Sequence, residues 1–431
     1  MTVQEFYPIF LKYQQVCTDS RKATANSVFF ALNGDNFDGN KYVKQSLEMG
    51  CVYAVVDDPS LSEGDHVILV DDVVEFLQDL ARYHRDQLSI PVIGLTGTNG
   101  KTTTKELIAA VLSKKYALTY TEGNLNNHIG VPLTVLRANQ ETEILLVEMG
   151  ANHIGEIELL CNIAKPDHGF ITNIGKAHLE GFGSFEGVVQ AKTELYRYLL
   201  ACGGKVFVNQ ADELLVSLIG DEQYLAYGKG AKAAPEARLH PGIKLSFDLD
   251  LAPIGEDRTL CVGTNLVGNY NLPNALAALT LGSYFEIDWQ VAVDALKFYQ
   301  PGMNRSEFRQ TDKNVLILDA YNANPSSMVE ALRVFAELKA PGKLAVLGEM
   351  REMGEFSLAS HQEIIEFALE INLDVILLGA DFKQVSLEKQ LSHFPNVEAL
   401  IERIKEKPLR GKTILLKGSR GNQLEKVVPY L

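Results

Sequence analysis

The 431-residue chain contains 46% hydrophobic and 22% charged residues, and its 40 basic and 55 acidic side chains give a net charge of −15. This composition excludes a disordered, collagen-like or coiled-coil protein. The acidic balance argues against a nucleic-acid partner or an anionic membrane, although it is compatible with a local basic pocket for phosphates. The five cysteines form no C-x-x-C pair, and we find neither a leader peptide nor an apolar run of about 18 residues. We therefore expect a soluble cytoplasmic protein without membrane insertion, disulfide framework or zinc knuckle.

Short apolar runs alternate with helical patterns along the chain, and at roughly 150 residues per domain the length predicts about three domains. Residues 1–88 are expected to form a small α/β domain with a helix at Val73–Asp86. Residues 89–301 predict a parallel sheet with crossover helices, and the polar stretch 228–242 predicts a surface excursion. The pattern restarts over residues 302–431, where we expect a second open sheet with ligands at the carboxyl ends of its strands.

The clearest motif is G-T-N-G-K-T-T, which lies between the apolar strand Val92–Thr96 and a helical pattern. Glycines let backbone N–H groups face phosphate oxygens, and the helix N-terminus favours anions. Lys101 balances β/γ-phosphate charge, and Thr102 offers a hydroxyl to Mg²⁺. The motif is a G-x-x-G-K-T variant, because the strict P-loop spacing would need a glycine at Leu95. We predict ATP binding, with a ligand-free glycine turn as the alternative. The predicted residues are Gly97, Thr98, Asn99, Gly100, Lys101, Thr102 and Thr103.

Two further segments of the middle region predict metal ligands. Glu148 ends the apolar strand Ile144–Glu148, and a carboxylate there beside a phosphate loop favours Mg²⁺ binding over an ordinary solvated strand end. His178 lies in a glycine-bounded loop and is a second candidate ligand, although most single histidines are structural. Lys192 follows within a predicted helix over residues 185–200. The residues alone leave three alternatives for Lys192: a phosphate contact, a solvated helix position, or a CO₂-modified lysine whose carbamate helps to bind a second Mg²⁺.

In the last region, the strand Val315–Asp319 is followed by Tyr321, Asn322 and Asn324. Asparagine side chains offer both donors and acceptors to a polar ligand, while turn capping is an equally good alternative. Arg305, near the second domain junction, is predicted to reach a γ-phosphate when the domains close.

Together these motifs resemble the Mur ligases, the ATP-dependent amide-bond ligases of cytoplasmic peptidoglycan synthesis, over essentially the whole chain. The resemblance implies a central P-loop parallel-sheet ATPase domain flanked by a small N-terminal α/β domain and a C-terminal Rossmann-like α/β domain. It implies that Glu148 is the first Mg²⁺ acid and that His178 and a carbamylated Lys192 form a second metal site. The γ-phosphate role goes to Arg305, with Arg309 as the alternative, because the arginine spacing departs from the family pattern. The remaining implied ATP contacts are Asn271, Asn274 and Asp319.

Longer segments imply a particular reaction within this family, in which D-alanyl-D-alanine is joined to UDP-N-acetylmuramoyl-tripeptide through an acyl phosphate. The implied uridine-nucleotide segment comprises residues 18–21, which include Ser20 and Arg21, and residues 36–39 of the domain 1–88. ATP would bind in the domain 89–301 and the dipeptide in the domain 302–431. The other implied substrate contacts are Asn124, Asn126, Asn127, Tyr321, Asn322 and Asn324.

Three competing functions are kept open. A sibling Mur ligase or a folylpolyglutamate-type ligase would add a different amino acid by the same mechanism, although the long N-terminal domain and residues 124–132 argue against the folate branch. A P-loop ATPase module would release ADP without an acceptor. We expect a monomer, and the third residue of the tripeptide, L-lysine or meso-diaminopimelate, is left open.

Overall fold

The computed structural model describes residues 1–34, 37–64, 66–232, 234–302 and 304–431. Helices cover largely parallel sheets in the N-terminal, middle and C-terminal regions, so the predicted three-part α/β fold is confirmed. Asn36, part of the implied uridine segment, lies outside the described residues.

The N-terminal region is a parallel sheet with strand order β1-β2-β5-β6. Its helix α3 matches the prediction residue for residue, because Asp72 caps the first turn by accepting a hydrogen bond from the Glu75 N–H while Leu77 and Leu80 are buried. Helix α1, which the sequence analysis did not predict, begins with a capping box at Thr2. The strands are β1 (Gln15–Cys17), β2 (Ser27–Phe30), β3 (Asn33–Gly34), β4 (Phe37–Asp38), β5 (Tyr53–Val56) and β6 (Val67–Leu69). The helices are α1 (Val3–Tyr13), α2 (Val43–Glu48) and α3 (Val73–Asp86).

The middle region is built on a parallel sheet with strand order β12-β11-β10-β7-β9-β8. The predicted helix over 185–200 is wrong in one respect: it is two helices that meet at Thr193, whose hydroxyl donates to the carbonyls of Val189 and Gln190 and competes with the helical pattern. The strands are β7 (Val92–Thr96), β8 (Leu118–Tyr120), β9 (Ile144–Glu148), β10 (His168–Ile171), β11 (Lys205–Asn209) and β12 (Leu225–Tyr227). The helices are α4 (Lys101–Leu112), α5 (Gly130–Leu136), α6 (Glu156–Ala164), α7 (Leu179–Phe182), α8 (Phe185–Lys192), α9 (Glu194–Ala201) and α10 (Glu213–Ile219).

An antiparallel sheet of β13 (Glu236–Leu239), β14 (Lys244–Asp250) and β15 (Thr259–Val267) follows. The predicted surface excursion over 228–242 includes the edge strand β13, whose residues are mostly exposed, so part of this surface segment is regular structure. In β14 alternate residues are buried, which is the period-2 pattern of a half-buried strand and could have been read from the sequence. Helices α11 (Leu272–Tyr284) and α12 (Trp289–Phe298) complete the region.

The C-terminal region is a sheet with strand order β16-β17-β21-β18-β19-β20, parallel except for the edge strand β16. The predicted strand Val315–Asp319 is confirmed residue for residue. The adjacent strands β17, β21 and β18 end at the site edge, where open α/β sheets bind ligands. The strands are β16 (Glu307–Gln310), β17 (Val315–Asp319), β18 (Lys343–Gly348), β19 (Asp374–Leu378), β20 (Ser392–Phe394) and β21 (Thr413–Lys417). The helices are α13 (Pro325–Glu337), α14 (Ser357–Glu370), α15 (Lys383–Lys389) and α16 (Val397–Glu406).

The domain bounds 1–88, 89–301 and 302–431 stay predictions, and they fall in the connections between α3 and β7 and between α12 and β16. Within the described residues, no helix combines the length and the apolar character that crossing a bilayer requires.

Candidate active site

A cavity of about 790 Å³ opens where the carboxyl ends of the middle and C-terminal sheets face each other. It brings together most of the residues that the sequence predicted from separate segments of the chain. The predicted residues that line it are Thr98, Asn99, Gly100, Lys101, Thr102, Thr103, Asn124, Asn126, Asn127, Glu148, His178, Asn271, Asn274, Arg305, Asp319, Tyr321 and Asn322.

The phosphate loop, residues 97–103, follows β7 and runs into the first turn of α4. Gly97 has φ +143°, and a Cβ there would lie 2.0 Å from Thr172 Oγ1, so only glycine fits. The Thr98 N–H donates to the Asn173 carbonyl at 2.9 Å, which fixes the loop against the segment after β10. Lys101 Nζ donates to the carbonyls of Gly97 and Thr98 at 2.7 and 3.0 Å. The ammonium is therefore already held across the mouth of the loop, where phosphates would bind.

The Lys101 ammonium is perturbed by its surroundings. Its pKa is lowered to about 8. Burial is the largest cause, and the positive charge of Arg305 also lowers the pKa, while Glu148 acts in the opposite direction. Lys101 and Arg305 both line the cavity of a protein whose net charge is −15. An anionic ligand such as a polyphosphate would relieve this repulsion.

Glu148 at the end of β9 is buried, with 1% of its surface exposed. Its Oε1 accepts hydrogen bonds from Asn126 Nδ2 at 2.7 Å and from Thr102 Oγ1 at 3.2 Å. Among the described residues, its Oε2 has no hydrogen-bond donor. A buried carboxylate oxygen without a donor, next to a threonine hydroxyl and a phosphate loop, fits Mg²⁺, which prefers oxygen ligands.

Lys192 is buried at the end of α8, with 2% exposed, so the alternative of a solvated helix position is excluded. Its Nζ donates to the Ala151 carbonyl at 3.4 Å and lies 5.4 Å from the centre of the Phe182 ring. The His178 ring contacts the same phenyl group edge to face, at 6.4 Å between centroids. His178 Nδ1 also pairs with the carboxylate of Glu352 from the C-terminal region. Lys192 itself lies behind the cavity wall rather than in it.

The Lys192 pKa lies well below its ordinary value. Burial is the largest cause, and the charge of Lys101 adds to it, while Glu156 and Glu194 act in the opposite direction. A lowered pKa increases the fraction of neutral amine, which is the form that reacts with CO₂.

The structure separates the two candidate arginines. Arg305 lines the cavity and its guanidinium lies 3.7 Å from the centre of the Tyr321 ring. Arg309 is exposed on β16, and its Nε donates to Glu307 Oε1 at 2.6 Å. Only Arg305 is placed to meet a ligand in the cavity.

The predicted residues after β17 are held in three ways. Asp319 accepts from Lys417 Nζ at 2.7 Å, and the carbonyl of Asn322 lies 3.4 Å from the same ammonium. Asn324 caps α13, so the capping alternative holds for this residue. Its Nδ2 also donates to Asn99 Oδ1 at 2.8 Å, which links the C-terminal region directly to the phosphate loop.

The start of α11 supplies a buried amide pair, Asn271 at the N-cap and Asn274 in the first turn. Asn271 Nδ2 donates to the Val267 carbonyl at 2.8 Å, and Asn274 Nδ2 donates to Asn271 Oδ1 at 2.9 Å. Asn274 Oδ1 accepts from Thr104 Oγ1 at 3.0 Å, which ties this pair to α4. Both asparagines face the cavity beside the phosphate loop.

The structure does not bring Ser20 and Arg21 to the cavity. Ser20 is buried in the N-terminal region, and the Arg21 side chain is 85% exposed and paired with Asp19 through two contacts of 2.8 Å. Their predicted contact with a uridine nucleotide stays a prediction.

Sequence reasoning missed two buried lysines, Lys105 and Lys417. Lys105 occupies the apolar stripe of α4 together with Ile108 and Leu112, and a charge on that stripe was the available signal. Lys417 is the last residue of β21, and its ammonium pairs with Asp319.

The fold and the cavity show that the protein is a P-loop enzyme whose phosphate loop faces the strand ends of a second α/β sheet. Three protein-family models match the chain. The model named "Mur ligase middle domain" matches residues 95–282, and the model named "Mur ligase, glutamate ligase domain" matches residues 304–420. The model named "Mur ligase family, catalytic domain" matches residues 12–85. The chain belongs to the Mur ligase family, and it is an ATP-dependent amide ligase.

Relatives and solved structures agree with this assignment. The chain is 37% identical to the UDP-N-acetylmuramoyl-tripeptide–D-alanyl-D-alanine ligase of Bacillus subtilis (strain 168) over 429 residues, which cover 96% of this chain and 92% of the relative. It is similar to a crystal structure of MurF from Acinetobacter baumannii, with a TM-score of 0.86, 30% identity, and 99% and 98% of the two chains covered. A MurF ligase from Thermotoga maritima in complex with ADP matches with a TM-score of 0.83 and 25% identity, covering 97% of each chain.

Proposed function

We propose that this chain joins D-alanyl-D-alanine to UDP-N-acetylmuramoyl-tripeptide at the expense of ATP, giving UDP-N-acetylmuramoyl-pentapeptide, ADP and phosphate for peptidoglycan synthesis in the cytoplasm. The observation that carries the proposal is one cavity lined by the phosphate loop, by Glu148, whose Oε2 has no hydrogen-bond donor among the described residues, and by Arg305 from the segment before β16. The names of the high-coverage relatives agree with the reaction predicted from the sequence.

The first chemical step is phosphoryl transfer. The phosphate loop binds ATP, and Lys101 and Arg305 balance the negative charge that spreads over the γ-phosphoryl oxygens. The carboxylate at the end of the tripeptide attacks the γ-phosphorus, and the bond from this phosphorus to the β-phosphate oxygen breaks. ADP departs, and the tripeptide now carries an acyl phosphate. Two Mg²⁺ ions are expected. Thr102 and Glu148 would hold one ion, and His178 and a carbamylated Lys192 would hold the other. Both ions would supply further charge neutralisation.

The second step forms the amide bond. The amine of D-alanyl-D-alanine attacks the acyl carbonyl through a tetrahedral intermediate, loses a proton, and expels phosphate. Tyr321 and Asn322, which follow β17 and line the cavity, would orient the dipeptide, and Asn124 and Asn127, which also line it, would contact the acceptor. The Asn99–Asn324 hydrogen bond holds the two walls together, which helps to exclude water from the acyl phosphate.

A phosphate-release assay tests this proposal. Purified protein with ATP and Mg²⁺ should release phosphate only when UDP-N-acetylmuramoyl-tripeptide and D-alanyl-D-alanine are both present, and the pentapeptide should be detected by mass. Release with ATP alone would identify an ATPase module. Release with single amino acids or glutamate instead of the dipeptide would identify a sibling or folylpolyglutamate-type ligase. Tripeptides with L-lysine and with meso-diaminopimelate should be compared in the same assay.

One described chain supplies every wall of the cavity, so the site needs no second copy. We therefore propose a monomer. Sedimentation of the active enzyme at assay concentration measures this directly, and a dimer that persists on dilution would contradict it.

Arg21→Ala is expected to raise the KM for the uridine-nucleotide substrate about tenfold, the range for one lost charged contact, with little change in kcat. Arg21 lies away from the cavity on an exposed surface, so it can bind the nucleotide end without touching the reacting atoms. Steady-state kinetics with varied tripeptide substrate measure this. A large fall in kcat with an unchanged KM would contradict the assigned role, and Lys22→Ala on the same turn is the matched control.

The binding of a non-hydrolysable ATP analogue should weaken as the pH rises above 8. The Lys101 pKa of about 8 means that the free enzyme loses this positive charge in that range, so affinity should fall by about tenfold per pH unit. Calorimetric titration between pH 7 and 10 measures the effect. In Lys101→Met the affinity should be low and almost independent of pH. A wild-type affinity that stays constant up to pH 10 would show that the bound phosphates do not depend on this ammonium.

A further inference from the structure

Lys105 is an ammonium buried without solvent contact in the middle of the site's framework. Its side chain is 0% exposed, one helical turn beyond Lys101 on α4. Its Nζ donates to the carbonyls of Thr121 and Gly123 at 2.6 and 3.1 Å, and it lies 2.9 Å from Glu106 Oε1. A buried charge is tolerated only where partners of this kind replace water.

Two of these partners, Thr121 and Gly123, begin the loop that follows β8. The same loop carries the site asparagines 124, 126 and 127. The far end of the loop is tied to β9: Asn126 Nδ2 donates to Glu148 Oε1 at 2.7 Å, and the Asn126 carbonyl accepts from the Gly150 N–H at 2.7 Å. The hydroxyl of Thr121 also accepts from the Glu148 N–H at 3.0 Å. Lys105 therefore holds the start of a loop whose end sets the orientation of the Glu148 carboxylate.

The charge of Lys105 also reaches Glu148. Its Nζ lies 4.0 Å from Glu148 Oε2, which is beyond hydrogen-bond reach but close enough for an electrostatic interaction. The lysine thus balances part of the buried negative charge, while Oε2 has no hydrogen-bond donor among the described residues.

We infer that Lys105 is a positioning residue for ligation. It acts through Asn126 and Glu148, holding the asparagine loop and the carboxylate in the geometry that the acceptor and the γ-phosphate require. This inference rests on the proposed function, since its effect is read in the ligation rate. A purely structural role would make a different prediction: lower stability, with an unchanged kcat per folded molecule.

The test is a double-mutant cycle with Lys105→Met and Asn126→Ala. Each variant should lower kcat about a hundredfold, the cost of a misplacement near 1 Å, while the affinity for ADP stays within about twofold of wild type because the phosphate loop is unchanged. Because both residues act on one carboxylate, the double variant should be about as slow as either single variant. Lys114→Met, an exposed lysine just beyond α4, is the matched control and should match wild type.

Three outcomes would overturn the inference: a normal kcat in Lys105→Met, effects of the two substitutions that multiply fully in the double variant, or a lower melting temperature with an unchanged kcat per ADP-binding molecule. If Lys105→Met does not fold, Lys105→Gln, which keeps a donor for the loop carbonyls, takes its place in the same cycle. Absence of ligation by the wild-type enzyme would instead refute the proposed function, so the two failures can be told apart.

Discussion

Lys101→Ala is expected to lower kcat about a thousandfold, or about 4 kcal/mol of transition-state stabilisation, the upper range for removing one preorganised donor. The residue stands at the mouth of the phosphate loop, and its charge is one of two protein cations that face the transferred group. The fold should be retained. Since burial disfavours this ammonium in the free enzyme, its removal should leave the melting temperature unchanged or slightly raised.

The measurement combines the phosphate-release assay with thermal unfolding of the same preparation. Lys114→Ala removes an exposed lysine near the other end of the same helix and should leave both the rate and the melting temperature unchanged. A Lys101→Ala enzyme that ligates at a near-normal rate would refute the ATP site proposed here. A variant that is slow only because it is unfolded would be recognised by its melting curve.

Lys192→Ala is expected to lower activity by about a hundredfold or more. A hundredfold loss is already the upper end of the range for groups that support a metal site. In the proposed modification the neutral amine attacks the carbon of CO₂: an N–C bond forms, one C=O π bond opens, and one proton is released, so that the uncharged amine becomes a carbamate anion. That anion suits a cation site shared with His178, whereas a buried ammonium would repel Mg²⁺. Burial and the charge of Lys101 lower the Lys192 pKa and so favour the reactive form.

Three comparisons separate the carbamate from an ordinary lysine. Formate should partly restore Lys192→Ala, because a small carboxylate can occupy the vacated position. Lys192→Arg should stay inactive, since it keeps the positive charge. Wild-type activity should fall in CO₂-depleted buffer and return with bicarbonate. An active Lys192→Arg variant together with no rescue by formate would support a phosphate-contacting ammonium instead.

The chemistry of this protein could be predicted wherever it lies in one contiguous segment. The phosphate loop is one such case, because strand, glycines, lysine and helix start follow one another in the chain. The Glu148 position is another, since the end of an apolar strand is visible as a pattern. The period-2 alternation of β14 was equally visible, and the antiparallel sheet was missed because the stretch before it was polar and rich in glycine and proline.

Contacts between distant segments were decided only by the tertiary structure. Arg305 lies before β16 and lines the cavity, whereas Arg309 lies on β16 and is exposed, and the spacing of the two arginines did not determine this difference. The hydrogen bond between Asn126 and Glu148 and the burial of Lys105 depend on how the loop after β8 packs against α4 and β9. Local patterns are set by the preferences of neighbouring residues, whereas a buried charge is stabilised by partners that the packing of the whole domain brings to it.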